Sequence, residues 1–281
     1  MPLSPAIARA LARTRLSPED RALLDDLRFY DAGHGYDPFG LHPAYVALGL
    51  ALLRPIYDHY FRVLSFGAEH IPHEGPAILA GNHSGTLPFD AMMLWIDVLL
   101  HTRRVVRSVA DHFVPTLPIL GTLFHRSGAV GGSRGNVRKL LENGELMAIF
   151  PEGTVGIGKG FDKRYQLERF RVGHAELSIR HRAPVVPVGF VGAEEQMPQL
   201  TKLVGLGRVM GLPYVPVPAT PIPLPVRYRI HYGPPIPLHE QYPPDAADDP
   251  DAVREAAARV QQAVQDLLQQ GLRIRKGRLF T

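Results

Sequence analysis

The 281-residue chain contains no cysteine, which excludes disulfides, thiolate metal ligands and a cysteine nucleophile. That absence fits a reducing compartment. Long apolar runs are missing too. The longest spans Tyr45 to Leu53, and Arg54, Asp58 and His59 break up the residues after it. A helix needs about 20 apolar residues to cross a bilayer, so no transmembrane span is expected. The N-terminus lacks the charged, apolar and small-residue order of a secretory signal. Basic residues are not gathered with aromatics on one element, which argues against nucleic-acid binding. There is no His-Glu-x-x-His, and His70 and His73 lie in a stretch broken by Pro72 and Gly75, so neither a metal nor a cofactor is expected. The formal charge is only +4 although the pI is about 9.4, a weak leaning toward anionic partners such as phosphates or acidic lipid.

What is present is a 45% hydrophobic chain long enough to bury a sizeable core. Two short helices come first, the second capped by Ser17 with Pro18, Glu19 and Asp20 in its first turn. Residues 30–41 read as a loop. Residues 43–66 suit a helix, either lying in a membrane interface or packed on the core. Strands are expected at 77–81, 104–110, 146–150 and 185–191, with an extended piece at 128–131. Helices are expected at 89–100, 115–125, 136–143 and 170–182 between them. Apolar strands alternating with helices predict a mostly parallel sheet covered on both faces. Residues 227–232 alternate and suggest an edge strand. Six prolines between Pro213 and Pro225 rule out a regular helix or a central strand there. From near Asp251, Val253, Ala257, Val260, Val264 and Leu267 form one apolar stripe, with Gly271 as the expected helix end.

The expectation is a single-domain α/β protein. Its mostly parallel mixed sheet is flanked by helices, with N-terminal helices and a C-terminal amphipathic helix. Residues 1–66 would be an N-terminal helical region. Residues 67–281 would be the α/β domain, including the proline-rich loop 213–225.

Chemistry enters at residues 81–92, GNHSGTLPFDAM. His83 leaves a buried strand at its C-terminal end, where open α/β sheets bind ligands. Imidazole accepts a proton near neutral pH, and a carboxylate such as Asp90 can fix its tautomer and stabilise the imidazolium. The plainer alternative is an aspartate that merely caps the next helix. Three further stretches lie downstream: Gly128-Ala-Val-Gly-Gly-Ser-Arg134, Phe150-Pro-Glu-Gly-Thr154 and Val185-Val-Pro-Val-Gly-Phe190, the last broken by Pro187.

In these four blocks and their order, the chain resembles the glycerolipid acyltransferase family (1-acyl-sn-glycerol-3-phosphate acyltransferase-like) over about residues 64–192. The resemblance implies His83 as general base and Asp90 as its orienting partner. It implies Arg134, Glu152, Gly153, Thr154 and Arg171 at the acceptor and its phosphate, with Pro187 shaping the pocket. The co-substrate would be acyl-CoA or acyl-carrier protein. The acceptor would be a membrane glycerolipid hydroxyl, such as that of lysophosphatidate or another lysophospholipid. The protein is then expected to be cytoplasmic and peripheral on a membrane surface, through 43–66 and the proline-rich loop. Backbone amides around Gly131-Gly132 and Gly153 would be further donors.

Two departures stand out. Six residues separate His83 from Asp90 where the family has four. On a continuous helix this would turn Asp90 by about two hundred degrees, so a loop through Gly85 and Pro88 is required. Val155 stands where the family has arginine, which keeps a neutral alcohol or diacylglycerol acceptor open. Lys159, Lys163, Arg164 and Arg169 are candidate compensating cations. Two other readings compete: a serine hydrolase using Gly131-Gly-Ser133-Arg-Gly135, and a non-catalytic lipid-binding protein of the same fold.

Overall fold

A computed structural model describes residues 3–83, 87–110, 120–209 and 214–276, apart from the side chains of residues 154, 157, 206, 208 and 209. In chain order the elements are α1 (Pro5–Arg13), α2 (Pro18–Asp25), α3 (Pro43–Pro55), β1 (Leu64–Phe66), β2 (Ala77–Gly81), α4 (Phe89–Thr102), β3 (Arg107–Ala110), α5 (Leu120–Arg126), β4 (Val130–Gly131), α6 (Arg134–Glu142), β5 (Leu146–Ile149) and α7 (Thr154–Ile157). They continue with α8 (Gly173–His181), β6 (Val185–Val191), β7 (Gln199–Leu203), α9 (Val204–Val209), β8 (Val215–Pro218), β9 (Arg229–Tyr232), α10 (Leu238–Gln241) and α11 (Pro250–Ile274).

Seven strands form one sheet in the order β1-β9-β6-β2-β5-β3-β4, parallel throughout except where β9 runs against β6. Every residue of β2 and β6 is buried, because helices cover both faces. Ala77, Leu79, Leu146, Ala148, Val186 and Val188 face α3 and α4; Ile78, Ala80, Met147 and Val185 face α6, α8 and α11. The expected mostly parallel mixed sheet between helices is therefore borne out, as are the two N-terminal helices. Ser17 and Asp20 close a reciprocal capping box at the start of α2.

The helix expected over 43–66 stops short. Pro55 cannot donate to the ladder, residues 56–60 widen into a π turn, and Arg62 takes a left-handed φ of 46°. The chain then enters the sheet as β1, so the boundary at 66 falls after a sheet strand. Tyr45, Val46, Leu48, Leu50 and Ala51 of α3 are buried, so most of its apolar side chains pack on the core, with Leu52 exposed. Of the helix expected over 115–125, residues 115–119 lie outside the described residues. Residues 227–232 do not form an edge: β9 lies between β1 and β6 and is buried along its length. Phe170–Val172 are not helical, since the Phe170 and Arg171 amides donate to Gln261 Oε1 and the Pro151 carbonyl, both at 3.0 Å.

Pro187 does not interrupt β6. Gly233 donates to the Pro187 carbonyl, so the N–H that proline lacks would have faced the chain just past β9, not the rungs to β2. Gly271 does not end α11, which runs on to Ile274. A Cβ there would stand 2.7 Å from His231 Nε2 and 2.8 Å from Val191 Cγ2, so glycine serves the close approach of helix to sheet.

Candidate functional site

β2 delivers the chain to the C-terminal rim of the sheet. Asn82, fully buried, donates from Nδ2 to the Phe190 carbonyl at 3.2 Å and accepts the Phe190 N–H at 2.8 Å. That two-way clamp fixes where β2 ends and where His83 leaves it. The sequence marks Asn82 only as part of a motif; its partner on β6 is visible only in the fold.

His83 and Asp90 meet. His83 Nδ1 stands 2.7 Å from Asp90 Oδ2, with the histidine side chain 14% exposed and the carboxylate fully buried. The helix begins at Phe89, directly after Pro88, so the pair is not carried on one continuous helix. Gly85 of the expected loop lies outside the described residues. A carboxylate on Nδ1 directs the ring proton there and leaves Nε2 as the basic nitrogen. The imidazole lies on Phe150, ring centroids 4.3 Å apart and planes 27° from parallel, which holds its orientation.

Glu152 differs from expectation. It is buried, and both oxygens are engaged within the protein. Oε1 accepts the His83 N–H at 3.0 Å, while Oε2 accepts Lys159 Nζ at 3.0 Å and the Glu168 N–H at 2.8 Å. It braces the histidine's backbone, and each of its oxygens already has a partner within the protein. Lys159 is buried as well, 3.0 Å from Glu152 and 3.3 Å from Glu194, so it is no free cation for a phosphate. Burial lowers its proton affinity, but the Glu194 and Glu152 carboxylates outweigh this and hold the ammonium above its ordinary pKa. Glu194 moves the other way: burial pushes its pKa up to about 7 against the pull of Lys159. Neither Lys159 nor Glu194 carries a motif signal.

Gly153 takes a φ of +60°, and a Cβ there would meet the Arg171 guanidinium carbon at 2.9 Å. The guanidinium thus lies against the turn after Glu152, with its own side exposed. His174 Nδ1 lies 3.0 Å from the Arg171 carbonyl, and burial pulls its pKa down to about 4. The Gly153 N–H is already engaged with the Phe150 carbonyl and that of Gly132 with the Ala110 carbonyl, so these amides are not open donors. The Thr154 side chain lies outside the described structure. Val155 is 52% exposed.

Arg134 opens α6 after β4 and is exposed on the same rim. The order β2-β5-β3-β4 places that strand three neighbours from β2, about 14 Å at the usual interstrand spacing. Ser133 shares this position, and its hydroxyl caps α6 by accepting the Asn136 N–H at 3.2 Å. A serine three strands from the histidine forms no nucleophile elbow with it, so the hydrolase arrangement is not assembled. Pro187 lines a cavity with Gly233 and residues of α11. It faces α11, on the side of the sheet opposite Phe150, beside Gly233 and Leu267.

Comparison with known proteins gives four findings. A family model described as Acyltransferase matches residues 62–191. An uncharacterised Mycobacterium tuberculosis protein is 37% identical over 261 residues, covering 88% of this chain and 72% of the relative. A Bos taurus protein named DGAT1/2-independent enzyme synthesizing storage lipids is 31% identical over 212 residues, 74% of this chain and 59% of its own length. Among solved structures, the 1-acyl-sn-glycerophosphate (LPA) acyltransferase PlsC of Thermotoga maritima matches with a TM-score of 0.52 over 83% of each chain. At 16% identity this last likeness speaks for the fold alone.

Proposed function

The chain belongs to the acyltransferase family, and from that premise we propose that it moves a fatty acyl group from acyl-CoA or acyl-carrier protein to a glycerolipid hydroxyl, with His83 as general base. The observation that carries this reading is the 2.7 Å contact between His83 and the buried Asp90. An acyl thioester is already activated, so no covalent enzyme intermediate is needed. His83 Nε2 takes the proton of the acceptor hydroxyl as its oxygen attacks the thioester carbonyl. The tetrahedral intermediate then expels the thiolate, which receives that proton. Asp90 orients the ring and stabilises the imidazolium. A positioned base supplies about 10²–10⁴-fold, and the rest comes from holding the two substrates together.

The acceptor is first a lysophosphatidate or another lysophospholipid, with Arg171 and Arg134 as the rim cations for its phosphate. A neutral acceptor such as diacylglycerol is favoured by two observations: the exposed, uncharged Val155 beside the site, and the storage-lipid name of the Bos taurus relative. The acceptor lives in a membrane, so the protein attaches to its surface from the cytoplasmic side. Among the described residues no helix is long and apolar enough to cross a bilayer.

The test is acyl transfer by purified protein from labelled acyl-CoA and acyl-carrier protein to lysophosphatidate, other lysophospholipids, diacylglycerol and a long-chain alcohol, with products scored by mass. A product on a glycerolipid hydroxyl that disappears in His83→Ala supports the reading. Lipid binding without transfer from either donor, unchanged by His83→Ala, points to a non-catalytic lipid-binding protein instead.

A further inference from the structure

Between β6 and β9 the chain leaves the sheet for residues 197–226 and builds the antiparallel ribbon β7-β8 with α9 at its turn. At the 21% charged content of the whole chain, these thirty residues would carry about six charges, near the globular average. They carry two, Lys202 and Arg208, both positive, and no aspartate or glutamate at all. Met197, Gln199 and Val226 near its ends are buried, but between them lie surface residues. Leu200 is 69% and Ile222 67% exposed, and Leu203 and Val204 are exposed beside them. A two-stranded ribbon is marginal in water, and this one exposes Leu200 and Leu203, with Val204 and Ile222 exposed on the chain that follows each strand.

The excursion is tied to the site. Gln199 Nε2 donates to the Gly158 carbonyl at 3.4 Å, and a Cβ on Gly158 would touch the Tyr214 ring at 2.9 Å. Gly158 closes the same turn that begins at Glu152 and carries the exposed Val155.

We propose that the exposed parts of this excursion, residues 200–205 and 214–222, are a docking surface for an anionic lipid bilayer, with Leu200, Leu203, Val204 and Ile222 entering the interface and Lys202 at headgroup level. An exposed apolar surface whose only charges are cationic is complementary to a bilayer of negative surface potential. The purpose of the docking, bringing the turn beside His83 to a lipid acceptor, rests on the lipid acyltransferase reading; the docking itself does not.

Because the chain has no cysteine, Leu200→Cys, Ile222→Cys and Ile7→Cys can each carry one environment-sensitive dye. Ile7 is a control, an exposed apolar residue on α1. Each labelled protein is mixed with phosphatidylcholine vesicles with and without phosphatidylglycerol. The dyes at 200 and 222 are expected to move to an apolar environment on the anionic vesicles, and the dye at 7 is not. In vesicle flotation, Leu200→Asp with Ile222→Asp should lower the bound fraction at least about tenfold, and Lys202→Glu should weaken only the anionic binding. Melting temperature checks that the variants fold; the dye readout stands if they do not. No vesicle binding by the wild type, or a response confined to position 7, would each overturn the proposal. Vesicle binding through 200 and 222 by a protein that acylates nothing would sink the catalytic reading while leaving the docking surface intact. Conversely, transfer to a monomeric short-chain acceptor by the aspartate variants separates docking from chemistry.

Discussion

The backbone N–H of His83 donates to Glu152 Oε1 at 3.0 Å across 69 residues of chain. Two strand ends, those of β2 and β5, are thereby locked together at the rim beside the imidazole. The other oxygen of Glu152 is locked in turn by Lys159 at 3.0 Å. Asp90 orients the ring from the front and the Glu152–Lys159 pair fixes its backbone from behind.

His83→Ala should lower kcat by roughly 10²–10⁴-fold, the worth of a positioned base, with KM little changed. Asp90→Asn should lower kcat in the same direction, because an amide neither stabilises the imidazolium nor enforces the same tautomer. Steady-state kinetics on whichever acceptor is turned over measures both. Unchanged kcat in His83→Ala would remove the base from the mechanism.

Lys159→Met should destabilise the fold by about 3–5 kcal/mol, since it leaves Glu152 and Glu194 buried without their cation. Urea denaturation reads this directly. A loss below about 1 kcal/mol, the level of an exposed pair, would mean that solvent reaches the cluster.

Glu194 makes stability depend on pH. Its folded pKa, about 7, lies above the ordinary carboxyl value of 4.5. The folded state therefore holds the proton more tightly than the unfolded state. Its contribution is full below about pH 4.5 and fades as pH rises through about 7, by no more than about 3 kcal/mol. The melting temperature of Glu194→Gln should fall less than that of the wild type between pH 5 and 8, and parallel curves would refute the assignment.

Gly271→Ala sets two effects against each other. Alanine gains about 1 kcal/mol of helix propensity over glycine. The new methyl would press on His231, which is itself stacked on Phe66 at 4.6 Å, and on Val191. Overpacking costs about 1–3 kcal/mol, so the variant should be less stable overall. A raised melting temperature would show that α11 can move away from the sheet.

Ser133→Ala should keep its full turnover and lose about 1 kcal/mol, the value of a helix cap. Complete loss of turnover would revive the serine-nucleophile reading.

Local pattern was enough, from the sequence by itself, for the alternating elements, the Ser17 cap, the mostly parallel sheet and the histidine with its aspartate. Periodicity, caps and strand-end placement act over a few residues, and a parallel sheet must bury both faces of its strands. Only the tertiary structure decided which groups share a space. It engaged both oxygens of Glu152, turned Pro187 to the face opposite Phe150, and paired Lys159 with two carboxylates. It also moved β9 from an edge to the interior and kept Gly271 inside its helix. Each of those outcomes depends on a partner tens of residues away, whose distance and burial set whether a charge, a ring or a bare α-carbon is tolerated. The spacing between His83 and Asp90 likewise does not suit a continuous helix and is resolved by where α4 begins.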